Sequence, residues 1–169
     1  MHSLTIIIFL AFSFVVCGQT PNYRPINKTQ SKKNKTVNLD TAKTAIIPFD
    51  RKGNYPFDNI HKPAKLTQED INIIDSLLIE CVSDYNNSLD KEHKEWSITL
   101  NKHEYKKQLI AVTNKSGEKE VWVNCFCETS DNSWKSYIRL VDDGGNCFFN
   151  FKINLKTKLF YGLVVNGEA

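Results

Sequence analysis

The residues in this chain with the most chemistry in them are its five cysteines, at positions 17, 81, 125, 127 and 147. Cys17 closes an apolar run and belongs to export. The others allow a disulfide, a reactive thiol or a metal–thiolate centre, depending on what places them. In an exported protein disulfides are the first expectation. Cys125 and Cys127 sit two apart on one strand face, where an ordinary bridge between them is strained. The expected pair is therefore Cys81 with one of Cys125, Cys127 or Cys147. Buried free thiols packing as small apolar residues are the alternative. A tetrathiolate zinc site lacks its Cys-x-x-Cys knuckles, so no metal or cofactor is assigned. A Cys–His nucleophile needs His61, His93 or His103 beside a thiol, and all three fall in polar or loop-like stretches. Asp142 and Asp143 adjoin Gly144-Gly145, which is turn chemistry rather than a carboxylate pair. No catalytic residue is assigned.

The element that must position these groups is Thr67 to Leu89. Thr67 is a good N-cap, with Glu69 and Asp70 at the positive end of the helix dipole. Thr-Gln-Glu-Asp falls one residue type short of the usual capping box. Ile71, Ile74, Leu77, Leu78, Cys81, Val82, Tyr85 and Leu89 then recur at helical spacing. Ile73 and Ile79 lie outside this stripe, on opposite flanks. Such a helix spans roughly 30 to 35 Å and needs a partner surface.

That surface follows, because the pattern changes to period two. Five strands are expected: Gln108 to Thr113, Val121 to Cys127, Trp134 to Val141, Cys147 to Leu155 and Leu159 to Val165. A loop at Lys115 to Glu118 pairs Val112 with Val121 and Ile110 with Val123. The Asp-Asp-Gly-Gly turn pairs Leu140 with Cys147 and Ile138 with Phe149. The last loop pairs Leu155 with Leu159 and Phe151 with Leu163. One face, including Ile110, Val112, Val123, Phe149 and Tyr161, then seats the helix. The fold class expected is α+β, one long helix on a roughly five-stranded antiparallel meander. The other face carries Trp122, Asn124, Phe126, Tyr137, Arg139, Phe148, Asn150, Lys152, Phe160 and Val164. Of these, Trp122, Phe126, Tyr137, Arg139, Phe148 and Lys152 form the candidate binding surface for a peptide, glycan or protein. The competing expectation is that Thr44 to Phe57, or a second copy of the chain, covers it.

Helix followed by meander resembles the cystatin-like arrangement over Thr67 to Val165. The inhibitory Gln-x-Val-x-Gly hairpin has no counterpart, since Gln108-Leu109-Ile110-Ala111-Val112 lacks the glycine. The stretches Val121 to Cys127 and Asp142 to Phe149 look like those of small exported bacterial proteins with no assigned activity. The resemblance implies a fold and a location, with no activity attached.

Of the 169 residues, 1–18 read as a signal peptide built on the apolar run Leu4 to Val16, or as a lipoprotein signal ending before a lipidated Cys17. Residues 19–42 read as a disordered polar linker, and 43–169 as a single domain. The net charge of +3 owes much to the run Asn27 to Lys35, not to a focused basic face, which argues against nucleic acid as a partner. A membrane enters only through the signal or a lipid anchor. Asn27, Asn34, Asn86 and Asn114 begin Asn-x-Ser/Thr triplets, relevant only if the host glycosylates. The expected function is a non-enzymatic envelope or secreted binding module. The alternatives are a thiol-dependent periplasmic enzyme or redox protein using Cys125, Cys127 or Cys147, and, lower, an inhibitor or immunity-type protein.

Overall fold

The computed structural model describes residues 37–53, 55–127 and 131–167. In chain order the elements are β1 (Thr44–Ile46), β2 (Lys62–Pro63), α1 (Gln68–Ser88), β3 (Lys106–Thr113), β4 (Lys119–Phe126), β5 (Phe148–Asn154) and β6 (Leu159–Val165). The fold is α+β. Its one α-helix among the described residues packs on a six-stranded mixed sheet in the order β1-β3-β4-β5-β6, with β2 also paired to β3. β3 to β6 are antiparallel neighbours in sequence, whereas β1 joins β3 in parallel. The sheet is open and does not close into a barrel. The signal run, Cys17 and most of the linker lie outside the described residues. Within 37–42, assigned to the linker from sequence, Val37 and Leu39 lie against the helix-side core, and the Asn38 amide donates to Gln68 Oε1 at 2.6 Å.

α1 starts where the sequence says it should. The Thr67 hydroxyl accepts from the Asp70 amide at 3.2 Å, and Asp70 Oδ2 accepts from the Thr67 amide at 2.7 Å. Asp thus completes the capping box in place of Glu or Gln. Ile71, Ile74, Leu77, Cys81 and Val82 are buried, while Ile79 is 64% exposed. Burying one such aliphatic side chain contributes about 1.5–3 kcal/mol and a cap about 1 kcal/mol. The stripe therefore fixes how the helix lies, and the cap fixes where it begins.

β3 and β4 are buried on both faces, in two separate cores. Toward α1 lie Leu109, Ala111, Val121, Val123, Cys125, Phe149, Phe151 and Ile153. On the outer side Ile110, Val112, Trp122 and Phe126 cluster with Ala45 and Ile47, which lie beside β3, and with Phe49, Phe57 and Trp134. Ile110 and Val112 are thus on the face opposite to the one expected. Asn114 causes the shift. Its side-chain carbonyl accepts from the amides of Ser116 and Glu118, at 3.0 and 2.9 Å, and draws Asn114 into the turn. Thr113 then pairs with Lys119, Ile110 with Trp122 and Leu109 with Val123. A second displacement lies in β6. A register irregularity opposite Asn150–Lys152, with Gly162 at φ +63°, turns Tyr161 outward and Phe160 inward, the reverse of expectation. Leu159 accordingly pairs with Asn154, not with Leu155.

The largest correction concerns Trp134 to Val141, which is not a strand. Ser133–Lys135 is a single 3-10 turn, the following residues are irregular, and β4 pairs directly with β5. The segment lies over the outer face, held by two buried amides. Gln108 Nε2 donates to the carbonyls of Trp134 (2.5 Å) and Tyr137 (2.6 Å), and its Oε1 accepts from the Arg139 amide (3.0 Å) and Asn124 Nδ2 (3.0 Å). Asn124 Nδ2 also donates to the Arg139 carbonyl at 2.7 Å. These bonds replace the ladder that a strand would have made. The Asp-Asp-Gly-Gly run is likewise not a hairpin turn. Gly144 sits at φ +121°, and a Cβ there would come within 2.5 Å of the Phe148 ring.

Two consequences can be measured. Burial works against the Asp70 carboxylate, but Lys119 Nζ at 2.5 Å and the Thr67 bonds prevail and hold its pKa below the ordinary 3.8. A carboxyl depressed in this way contributes stability above its unfolded pKa and loses it as pH falls through the folded value. Urea midpoints should therefore decline below about pH 4, and Asp70→Asn, which cannot ionise, should flatten that decline. Gln108→Leu keeps an apolar volume but strands two carbonyls and an amide. At about 1–3 kcal/mol for each group left unpaired, it should cost about 3 kcal/mol or more in urea unfolding and shift Trp134 emission to the red.

Candidate functional site

Thiol chemistry is constrained first. Cys127 is bonded to Cys147, with Cα atoms 5.2 Å apart, and Cys81 and Cys125 are free and buried. The expected bridge from Cys81 to the sheet is not formed. With no strand between β4 and β5, Cys127 and Cys147 fall opposite one another just past the Phe126–Phe148 pair, and the Cys127 amide donates to the Cys147 carbonyl at 3.1 Å. The bond also removes two of the thiolates that a tetrathiolate zinc site would require. Burial pushes the thiols of Cys81 and Cys125 up to about 12, so both stay protonated near neutral pH.

The histidines are occupied elsewhere. His61 Nδ1 is 2.6 Å from Asp58 Oδ1, and its Nε2 is 3.6 Å from Glu120 Oε2. His93 Nδ1 is 2.7 Å from Asp90 Oδ1, and its ring stacks on Trp96. His103 packs edge-on against Tyr105. Asp142 and Asp143 are exposed in the connection before β5, where the Asp143 carbonyl accepts from Asn166 Nδ2.

The outer face is where the candidate binding residues converge, and it divides into two halves. Over β3 and β4 it is covered. Trp122 is 1% exposed and Phe126 is fully buried, so neither offers an open aromatic surface. Of the segment the second expectation named, 44–46 extends the sheet as β1 beside β3, and Phe49, Tyr55 and Phe57 pack on the outer face together with the Trp134 turn. Tyr55 packs edge-on against Trp122 at 5.4 Å, and Trp122 Nε1 donates to Asn150 Oδ1 at 3.1 Å. Tyr137 is exposed, Arg139 lies 5.9 Å from both the Phe126 and Phe148 rings, and Lys152 stands 4.9 Å from the Phe57 ring.

Over β5 and β6 the same face is open. Phe148, Asn150, Lys152 and Asn154 point outward along β5 and are half-buried. Opposite them on β6 stand Leu159, Tyr161 and Val164, exposed by 54%, 42% and 54%. Leu140 is also exposed, and the carbonyl of the next residue, Val141, accepts from Asn166 Nδ2 at the end of β6. The neighbouring acids are engaged: Glu118 accepts from Lys156 and Asn154, and Glu120 accepts from Asn114 and from Tyr161. Arg139 and Lys152 form no ion pair among the described residues. Beside the apolar row these two cations stand over aromatic rings, and the exposed Asp142 and Asp143 lie near Asn166 at its end.

Of the six binding residues expected from sequence, Tyr137, Arg139, Phe148 and Lys152 remain accessible and Trp122 and Phe126 do not. Of the open row Leu159, Tyr161 and Val164, sequence reading placed Val164 on the outer face, assigned Tyr161 to the helix side and did not single out Leu159. The signal for Tyr161 was Gly162, whose place inside a strand marks a bulge and a change of phase. No protein-family model, no curated protein and no solved structure matches this chain.

Proposed function

We propose that the protein is an exported, non-enzymatic interaction module that receives an extended segment of a partner protein on the β5–β6 half of its outer face. The observation that carries this reading is the contrast between the halves. On β3–β4 the chain fills the outer face with its own residues, Phe49 and Phe57 from the segment after β1 and Trp134 from the later loop. On β5–β6 the row Leu159, Tyr161 and Val164 stays open beside Lys152 and Arg139. Contiguous apolar residues rimmed by polar groups mark interaction sites. The partner segment is apolar where it meets β6 and acidic where it meets the two cations. The order of one helix and an antiparallel β3–β6 run supports the likeness to the cystatin-like arrangement. The Leu4 to Val16 run and the Cys127–Cys147 bond both support export, since such bonds persist in oxidising compartments. A thiol enzyme is not favoured, because every described thiol is bonded or buried and protonated.

The test uses a photo-crosslinking residue placed at Tyr161 in cells, with Ile79 on the exposed side of α1 as the control position. A discrete adduct should form from position 161 and not from 79. It should weaken at least about tenfold on Val164→Glu or Lys152→Glu, as losing an interfacial apolar anchor or a complementary charge does. Identical adducts from both positions, or indifference to both substitutions, would remove this face from the function.

A further inference from the structure

On the opposite side of the sheet, α1 does not seal the edge at β1 and β3. A cavity of about 620 Å³ opens there between the arm 38–44, the helix and the loop 100–105. That volume lies within the range of small-ligand sites, about 300–1,000 Å³. Its apolar lining comes from Leu39, Ile71, Leu78, Leu100 and Tyr105, with Cys125. Its ionisable lining holds both signs: three lysines, at 43, 102 and 107, three carboxylates, at 40, 75 and 104, and His103.

Two oppositely charged pairs form there. Lys107 Nζ, from β3, meets the Asp75 carboxylate of α1, with side chains 17% and 48% exposed. Lys43 and Glu104 face one another at 3.9 Å and are far more exposed, at 51% and 87%. The Tyr105 hydroxyl is committed to the Asn146 carbonyl, to which it donates at 2.9 Å.

We propose that this cavity binds a small zwitterion with an apolar side chain, either a free amino acid or the end of a short peptide. A ligand with one charge would take a partner from the Lys107–Asp75 pair and leave the other ion uncompensated and partly out of water. That penalty offsets whatever the new ion pair contributes. A ligand with both charges exchanges partners one for one: its carboxylate meets Lys107, its ammonium meets Asp75, and neither protein ion is stranded. The exposed Lys43–Glu104 pair adds little in water and makes a second exchange point near the mouth. Ile71, Leu78 and Leu100 then receive a side chain of leucine size. This site is independent of the outer face, and either can fail without the other.

The probes are L-leucine, L-leucyl-L-leucine, N-acetyl-L-leucine and L-leucinamide, titrated into the intact, disulfide-bonded protein and followed by amide chemical shifts and calorimetry. Leucine or the dipeptide should saturate and shift amides in 38–44, 71–78 and 100–107. Each blocked analogue should bind at least tenfold more weakly, as should the zwitterion to Asp75→Asn and to Lys107→Met. Tighter leucine assigns a free amino acid, and tighter dipeptide assigns a peptide end. The analogue comparison on the unaltered protein stands even if a variant fails to fold. No saturable binding at millimolar concentration, or N-acetyl-leucine binding as tightly as leucine, would overturn the proposal.

Discussion

Burial of β3 and β4 on both faces is the constraint from which the rest of this structure follows. Leu109, Val121 and Val123 are fully buried toward the helix, and Ile110, Val112 and Trp122 are equally withdrawn on the reverse. A sheet of this kind cannot stand with one helix alone. It needs a second layer, and at this length no second long helix is among the described residues to provide one. The chain makes that layer from an extended arm and an irregular loop. Both must satisfy their own backbone groups without a ladder, which is why Gln108 and Asn124 point from the sheet into the second core instead of apolar residues.

The same constraint separates what could be read from sequence from what could not. α1 was legible because its two faces differ in polarity, and a capping threonine marks its start. β4 and β5 were legible in phase, since Val123 and Phe149 do face the helix and Trp122 and Phe148 do not. β3 was not. Gln-Leu-Ile-Ala-Val is buried on both sides, so its pattern carries no phase, and a single residue drawn into the Asn114 turn decided the register. Trp134 to Val141 alternates like a strand, but its alternation records which residues reach the core from above. Placing it in the sheet separated Cys127 from Cys147 by a strand, so the wrong disulfide followed from the wrong topology. The chemistry of the cysteines could not be solved before the order of the strands.

Accessibility of the outer face was undecidable from the pattern for a related reason. A sheet residue's identity fixes the face it occupies, and says nothing about what else in the chain returns to cover that face. Here the arm carrying Phe49 and Phe57 reaches as far as Lys152, whose ammonium caps the Phe57 ring, and stops. Beyond that line the β6 row is open. The bulge at Gly162 both exposes Tyr161 and interrupts the strand's outer edge, a feature that discourages indiscriminate pairing of an edge strand with other sheets. An apolar face joined to a guarded edge favours docking on the face over extension of the sheet.

The loop that closes the second core is held in two different ways, and the difference matters. The Cys127–Cys147 bond links residues 20 apart and acts mainly on the unfolded chain, where closing such a loop is worth about 3 kcal/mol. The Gln108–Asn124 amides act on the folded state, fixing the middle of the same loop at Trp134, Tyr137 and Arg139. Neither substitutes for the other. The bond alone would leave a tethered loop free to lift from Phe126, and the amides alone would have to order the whole connection against its entropy. Arg139 sits where the two effects meet, between the rings of Phe126 and Phe148, and so takes its position from both. The positive charge offered beside the open β6 row is thereby placed by the same clasp that closes the covered half.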